Sequence, residues 1–172
     1  YFDINQQGMD QMMADIASMG GELFVMDDGW FGDKYPRKND SSSLGDWVVD
    51  KNKLPDGVKG LLSDAKKRGI KFGIWIEPEM ANTTSELYEQ HPDWVLKAPE
   101  RDLVLGRGGT QVVLDLANPA VQDFVFGVVD NLMTSYPEID YIKWDANMAV
   151  MNHGSQYLTK ENQSHMYIEY HR

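Results

Sequence analysis

Helical and strand-like patterns alternate strictly along the 172 residues. The strand-like runs are continuously apolar, as strands buried on both faces are. Each run ends in an acidic or polar cluster: Asp27-Asp28, Glu77 and Glu79, Asp115, Asp145. These three observations predict an α/β fold with a parallel sheet covered by helices, covering roughly the first half of a (β/α)8 TIM barrel. Parallel α/β proteins carry their chemistry at the carboxyl ends of strands. A doubly wound nucleotide-binding sheet is disfavoured, because its glycine-rich turn follows the first strand. Here Gly20-Gly21 precede the first strand, and "GRGG" (106–109) precedes a strand and opens no helix. A complete barrel takes roughly 250 residues, so the second half of the barrel is expected outside residues 1–172.

The elements follow in order. "NQQGMDQMMADIASMGG" places Met9, Met12, Met13, Ile16 and Met19 at helical spacing and ends in two glycines, which predicts a helix with an apolar stripe toward the core. "ELFVMDDGWF" (22–31) predicts a buried strand running into a turn. "LPDGVKGLLSDAKKRG" (54–69) predicts a second helix, with Val58, Leu61, Leu62 and Ala65 inward and Gly69 as its stop. "IKFGIWIEPEM" (70–80) predicts a strand whose pairing must end at Pro78, which has no N–H to donate. Residues 84–96 predict a short helix broken near Pro92, and 111–119 a further strand. Pro119 at a first-turn position opens a helix over 119–136. Residues 139–147 predict another strand, and 159–172 another helix.

Composition excludes several function classes. A net charge of -11 disfavours nucleic acid and anionic membranes as partners, since phosphate contacts need clustered Lys and Arg. No apolar run approaches the roughly 18 residues of a membrane span. Without cysteine there is no disulfide, thiolate nucleophile or Cys-ligated zinc. The four histidines, at 91, 153, 165 and 171, show no ligand spacing, and no aspartate-rich calcium loop is present. No metal or other cofactor is expected. Both termini read as cut, so the compartment, cytoplasmic or periplasmic and secreted, is left open.

The stretch "YIKWDAN" (141–147) carries the sharpest signal. Successive strand residues face opposite ways. Lys143 and Asp145 therefore share one face, and Trp144 takes the other, packed between barrel and helices. A cation two residues from a carboxylate favours its ionised form, which is what a nucleophile on an acetal carbon requires. The bland reading is a buried ion pair. Asp27 and Asp28, at a strand end entering a glycine turn, can both swing toward the mouth and accept hydrogen bonds from vicinal hydroxyls. The bland reading there is a turn that favours Asp.

"LFVMDDGWFG", "LGDWVVDKNKLPDGVKGL", "GIKFGIWIEPEM", "QVVLDLANPAV" and "YIKWDAN", in that order, resemble the α-galactosidases of glycoside hydrolase family 36. The resemblance runs through nearly the whole chain and implies β domains flanking the barrel, outside residues 1–172. It implies a retaining hydrolase acting on terminal α-linked galactose in oligosaccharides such as melibiose and raffinose, in a parent protein that forms homo-oligomers. It assigns the nucleophile to Asp145. It assigns substrate binding to Asp27, Asp28, Trp30, Trp47, Arg107, Lys143 and Asn147. The acid/base carboxyl is expected beyond Arg172, which makes the parent protein the enzyme and this chain alone inactive. Rival readings are an α-N-acetylgalactosaminidase, a galactosyl transferase of the raffinose-synthase kind, and a carbohydrate-binding fragment without turnover.

Overall fold

The computed structural model describes residues 1–147, 149–151 and 153–171. Arg172, the last residue of the final predicted helix, lies outside the described residues. Helix α1 (Gln6–Ser18) starts where the Asn5 side chain accepts the Gly8 N–H. It leads into strand β1 (Leu23–Met26). Helix α2 (Gly57–Lys67) then leads into β2 (Lys71–Ile76). Strand β3 (Met80–Asn82) and helix α3 (Glu86–Gln90) follow, with a 3-10 turn at Pro92–Trp94. After β4 (Gln111–Val113) comes helix α4 (Pro119–Ser135), capped by Asn118 with Pro119 in its first turn. Strand β5 (Tyr141–Trp144) and helix α5 (Met166–Tyr170) complete the order, α5 entered through a 3-10 turn at Lys160–His165.

Three strands form one parallel sheet in the order β1-β2-β5. Phe24 lies beside Phe72, and Ile74 beside Ile142. The two faces of this sheet differ. Phe24, Met26, Phe72, Ile74 and Ile76 are buried against Met9 and Met13 of α1 and Val58, Leu61, Leu62 and Ala65 of α2. Each such side chain contributes roughly 1.5–3 kcal/mol of apolar burial. The alternate face carries Leu23, Val25, Gly73, Tyr141 and Lys143, and it is largely open, with Leu23 and Tyr141 exposed. Gly73 and Trp75 are the exceptions on that face, Gly73 buried between Val25 and Tyr141 and Trp75 under aromatic rings from the loop that follows β1.

Three expectations need correction. The run 111–119 does not join the parallel sheet. Only Gln111–Val113 is strand, and it pairs antiparallel with Met80–Asn82 in a separate two-stranded sheet. A second apolar cluster, with Ala81, Leu87, Val112, Leu114 and Val121, holds that pair against α3 and α4. The α1 stripe is narrower than its methionines suggest, because Met12 and Met19 are exposed. Trp144 is about half exposed rather than packed between two layers, although its indole N–H is hydrogen-bonded.

Candidate active site

The end of β1, the end of β2 and the end of β5 lie side by side, because the three strands are parallel and in register. That alone brings Asp27, Trp75 and Lys143 together. The Lys143 Nζ lies 2.7 Å from Asp27 Oδ2. This bond, more than the carboxylates around it, holds the Lys143 pKa above its ordinary value. Asp27 also caps its own turn, its Oδ1 accepting the Asp28 N–H at 2.9 Å.

Asp145 follows β5 directly. Its N–H donates to the Ile76 carbonyl at 2.9 Å, the last backbone bond between β2 and β5. Its Oδ2 accepts the Trp75 indole N–H at 3.1 Å, and its Oδ1 the Ala146 N–H at 3.2 Å. Partial burial alone would push this carboxyl up. The hydrogen bonds from Trp75 and the Asn147 side chain, with the charge of Lys143, outweigh it and hold the pKa below the ordinary aspartate value. Asp145 is thus an ionised, oriented carboxylate beside a lysine.

The adjacent aspartate is placed differently. Asp28 is buried, and Arg37, itself 1% exposed, grips it with two bonds, Nε to Oδ1 at 2.9 Å and Nη2 to Oδ2 at 2.7 Å. Gly29 N–H adds a third at 2.6 Å. The Arg37 Nη1 also reaches the Asn82 side-chain oxygen, which ties the β1 loop to β3. Gly29 sits at a positive φ of 98°, and a Cβ there would stand 2.6 Å from the Tyr1 carbonyl. The Asp-Asp-Gly turn therefore needs its glycine for space as well as for backbone freedom.

Trp30 is fully enclosed rather than presented to a ligand. Its indole N–H donates to the Trp75 carbonyl at 3.0 Å, and its ring packs against Phe31 and Trp47. Trp47 is only partly buried and stands 6.0 Å from the Trp75 ring. Arg107 is exposed, pairs with Asp40 at 3.4 Å, and its charge is felt at Glu77. Asn147 is exposed as a residue, yet its backbone N–H is held by Glu77 Oε1 at 2.6 Å.

The fourth acidic strand end, Asp115, does not join this cluster. It is 1% exposed and accepts the Ser155 hydroxyl at 2.6 Å and the Ala117 N–H at 3.2 Å, so it closes the entry to α4. Glu79 is buried, and burial pushes its carboxyl up to about 7 against the opposing hydrogen bonds. A groove of about 680 Å³ is lined by Trp30, Asp46, Trp47, Leu87, Phe124 and Leu132, but not by Asp27, Lys143 or Asp145. The carboxylate cluster instead opens onto the uncovered side of the sheet. Sequence reasoning missed Arg37, Trp75 and Asn82, whose roles come from contacts across 9 to 70 residues.

Comparison with known proteins gives the same picture. The melibiase family profile matches residues 1–171. The chain is 46% identical over 157 residues to probable α-galactosidase C of Aspergillus flavus, covering 87% of this chain and 20% of that protein. It is 42% identical over 171 residues to the α-galactosidase AgaA of Geobacillus stearothermophilus, covering 98% of this chain and 23% of AgaA. The chain thus spans about a fifth to a quarter of the length of these relatives. Crystal structures of AgaA variants with raffinose and with stachyose superpose with a TM-score of 0.90 at 40% identity. They cover 99% of this chain and 23% of AgaA. The α-galactosidase of Lactobacillus brevis superposes at 0.91 with the same identity, over 99% of this chain and 22% of that one. The chain belongs to the melibiase family, that of the GH36 α-galactosidases it matches.

Proposed function

We propose that the protein carrying this chain is a retaining α-galactosidase that hydrolyses terminal α-linked galactose from oligosaccharides such as raffinose and melibiose, with Asp145 as its nucleophile. The observation that carries this reading is the Asp145 carboxylate, kept ionised by Trp75, Asn147 and Lys143 at the end of a parallel strand. The raffinose and stachyose bound by AgaA variants support the substrate class. The strands β1, β2 and β5 would belong to the first half of a (β/α)8 catalytic barrel, whose remaining strands cover the open face of the sheet.

Asp145 attacks the anomeric carbon. The bond to the leaving oxygen breaks, a general acid protonates that oxygen, and a covalent galactosyl ester forms. The same acid then acts as base on a water, which cleaves the ester with a second inversion and so gives net retention. Lys143 and Asp27, hydrogen-bonded to each other, would hold hydroxyls of the galactose. Asp28 contributes less directly. A carboxylate has about four acceptor positions. Arg37 and Gly29 occupy three of them, which leaves one on Oδ2 for a sugar hydroxyl. Trp47 would wall the pocket beside Trp75, with Arg107 and Asn147 at its rim, while Trp30 supports both indoles from beneath.

Glu79, with its pKa near 7, has the proton affinity of a general acid. Its position argues against that role. It bonds Trp144, which lies on the opposite face of β5 from Lys143. The likeness to the GH36 α-galactosidases supports assigning the acid/base to a residue outside residues 1–172. Nitrophenol release from the α-galactoside and the α-glucoside by the full-length protein and its Asp145→Asn variant tests the reading. The expected result is galactoside cleavage that falls at least ~10³-fold in the variant, the scale of removing a nucleophile. Cleavage that survives in the variant removes Asp145 from the role. No cleavage by either protein removes the hydrolase reading.

A further inference from the structure

We propose that Glu77 and Glu79 are positioning residues, which together with Trp75 fix the end of β5 so that Asp145 keeps its attacking orientation. The inference rests on Asp145 being the nucleophile. Ladder pairing of β2 with β5 ends at Ile76 and Trp144, with one more backbone bond from Asp145 N–H to the Ile76 carbonyl. Beyond it Pro78 has no N–H to offer, and β2 turns away toward β3. The segment 145–147 would therefore leave the sheet with no partner for its backbone.

Three side chains from alternate positions of one segment replace the missing ladder. The Trp75 indole N–H donates to Asp145 Oδ2 at 3.1 Å. The Glu77 Oε1 accepts the Asn147 backbone N–H at 2.6 Å. The Glu79 Oε2 accepts the Trp144 indole N–H at 2.7 Å. The three bonds fall on the carboxylate itself, on the residue before it and on the second residue after it. The chain on both sides of Asp145, through the Trp144 indole and the Asn147 amide, is thus tied to the end of β2 and the turn that follows it, and these ties hold the carboxylate in place.

Burial makes the arrangement costly. Glu77 is 2% exposed and Glu79 7%, and burial pushes both carboxyls up. Two buried carboxyls also lie near the charge of Asp145, which raises both further. Apolar residues of similar volume would cost less in such a place. What only a carboxyl or a carboxamide supplies there is an acceptor aimed at the β5 end.

The test uses the full-length protein with Glu77→Ala, Glu77→Gln, Glu79→Leu and Glu79→Gln. Glutamine keeps the acceptor oxygen, whereas alanine and leucine remove it. Activity on nitrophenyl α-galactoside is read per active site, titrated with an activated fluorinated galactoside. The expected result is a kcat lowered ~10–100-fold in Glu77→Ala and Glu79→Leu with KM little changed, the scale of a small misplacement of a reacting group. Both glutamine variants should recover most of the loss. Full kcat per titrated site in Glu77→Ala and Glu79→Leu would overturn the proposal, because a purely structural role lowers only the number of folded sites. Hydrogen exchange at the Asn147 amide tests the tie without any turnover. It should be slow in the parent protein and in Glu77→Gln, and fast in Glu77→Ala. Unchanged protection in Glu77→Ala would overturn the Glu77 tie even if the parent cleaves no α-galactoside, so this failure is separable from failure of the hydrolase reading.

Discussion

Asp27 and Asp28 are chemically identical neighbours, and their surroundings divide them. Asp27 meets a half-exposed lysine at the mouth, and Asp28 meets a buried arginine. Motif reading at the residue scale gave both the same role and could not divide them. Arg37 lies nine positions away in a loop whose path no local pattern specifies. The buried pair is worth more as a constraint than as a source of stability, since breaking such a pair strands a charge in the interior. Glu79 gives a pH prediction at the same scale. Its folded pKa of about 7 lies above its ordinary 4.5, so the folded state holds an extra proton between those values. Stability therefore falls as pH rises through that window, and above pH 7 it stays lower by on the order of 3 kcal/mol. Glu79→Gln carries no charge. Its thermal midpoint should exceed that of the parent at pH 8 and converge with it near pH 4, measured by scanning calorimetry. A variant no more stable at pH 8 than the parent would contradict the burial penalty.

Elements with strong local signals were legible. Helices α1, α2 and α4 begin and end within three residues of their predicted limits, because Asn118-Pro119 and the glycine stops act through neighbours in the chain. The apolar run from Gln111 was misassigned for a physical reason. A short buried strand has the same composition whether its partner runs parallel or antiparallel, and Met80–Asn82 lies some thirty positions back. Helix α3 shows both cases at once. Ser85 caps it locally, its hydroxyl accepting the Tyr88 N–H at 3.0 Å. Asp46, forty residues earlier, accepts the Glu86 N–H at 2.9 Å and the Leu87 N–H at 3.0 Å. Replacing Asp46 by Ala leaves two N–H groups at a buried helix start without partners. The expected loss is about 2 kcal/mol of stability, read from denaturant unfolding. A loss below a few tenths would show that water takes over the cap.

The whole molecule has one covered and one open sheet face, with β1 and β5 as edges of the three-stranded sheet. Leu23 and Tyr141 stay exposed on the open face, and Trp144 on the other face of the edge strand β5. Such surfaces are rare on a free-standing domain. The strand ends were legible as one cluster because parallel pairing places them on the same side of the sheet. The placing of Trp47 beside Trp75 was less legible, since the two rings meet across 28 residues of chain through a loop with no local pattern. Expressed alone, residues 1–172 should release no nitrophenol from the α-galactoside and should bind a hydrophobic dye such as ANS, while the full-length protein turns over. Turnover by the isolated chain would place the acid/base within it and return Glu79 to consideration. In the proposed mechanism Asp145 is the residue that forms the covalent intermediate. The most direct measurement is mass spectrometry of proteolytic peptides after the full-length protein is inactivated with an activated fluorinated α-galactosyl fluoride. A galactosyl adduct on the carboxyl of Asp145 is the expected result, and an adduct on any other carboxyl, with Asp145 unmodified, would contradict it.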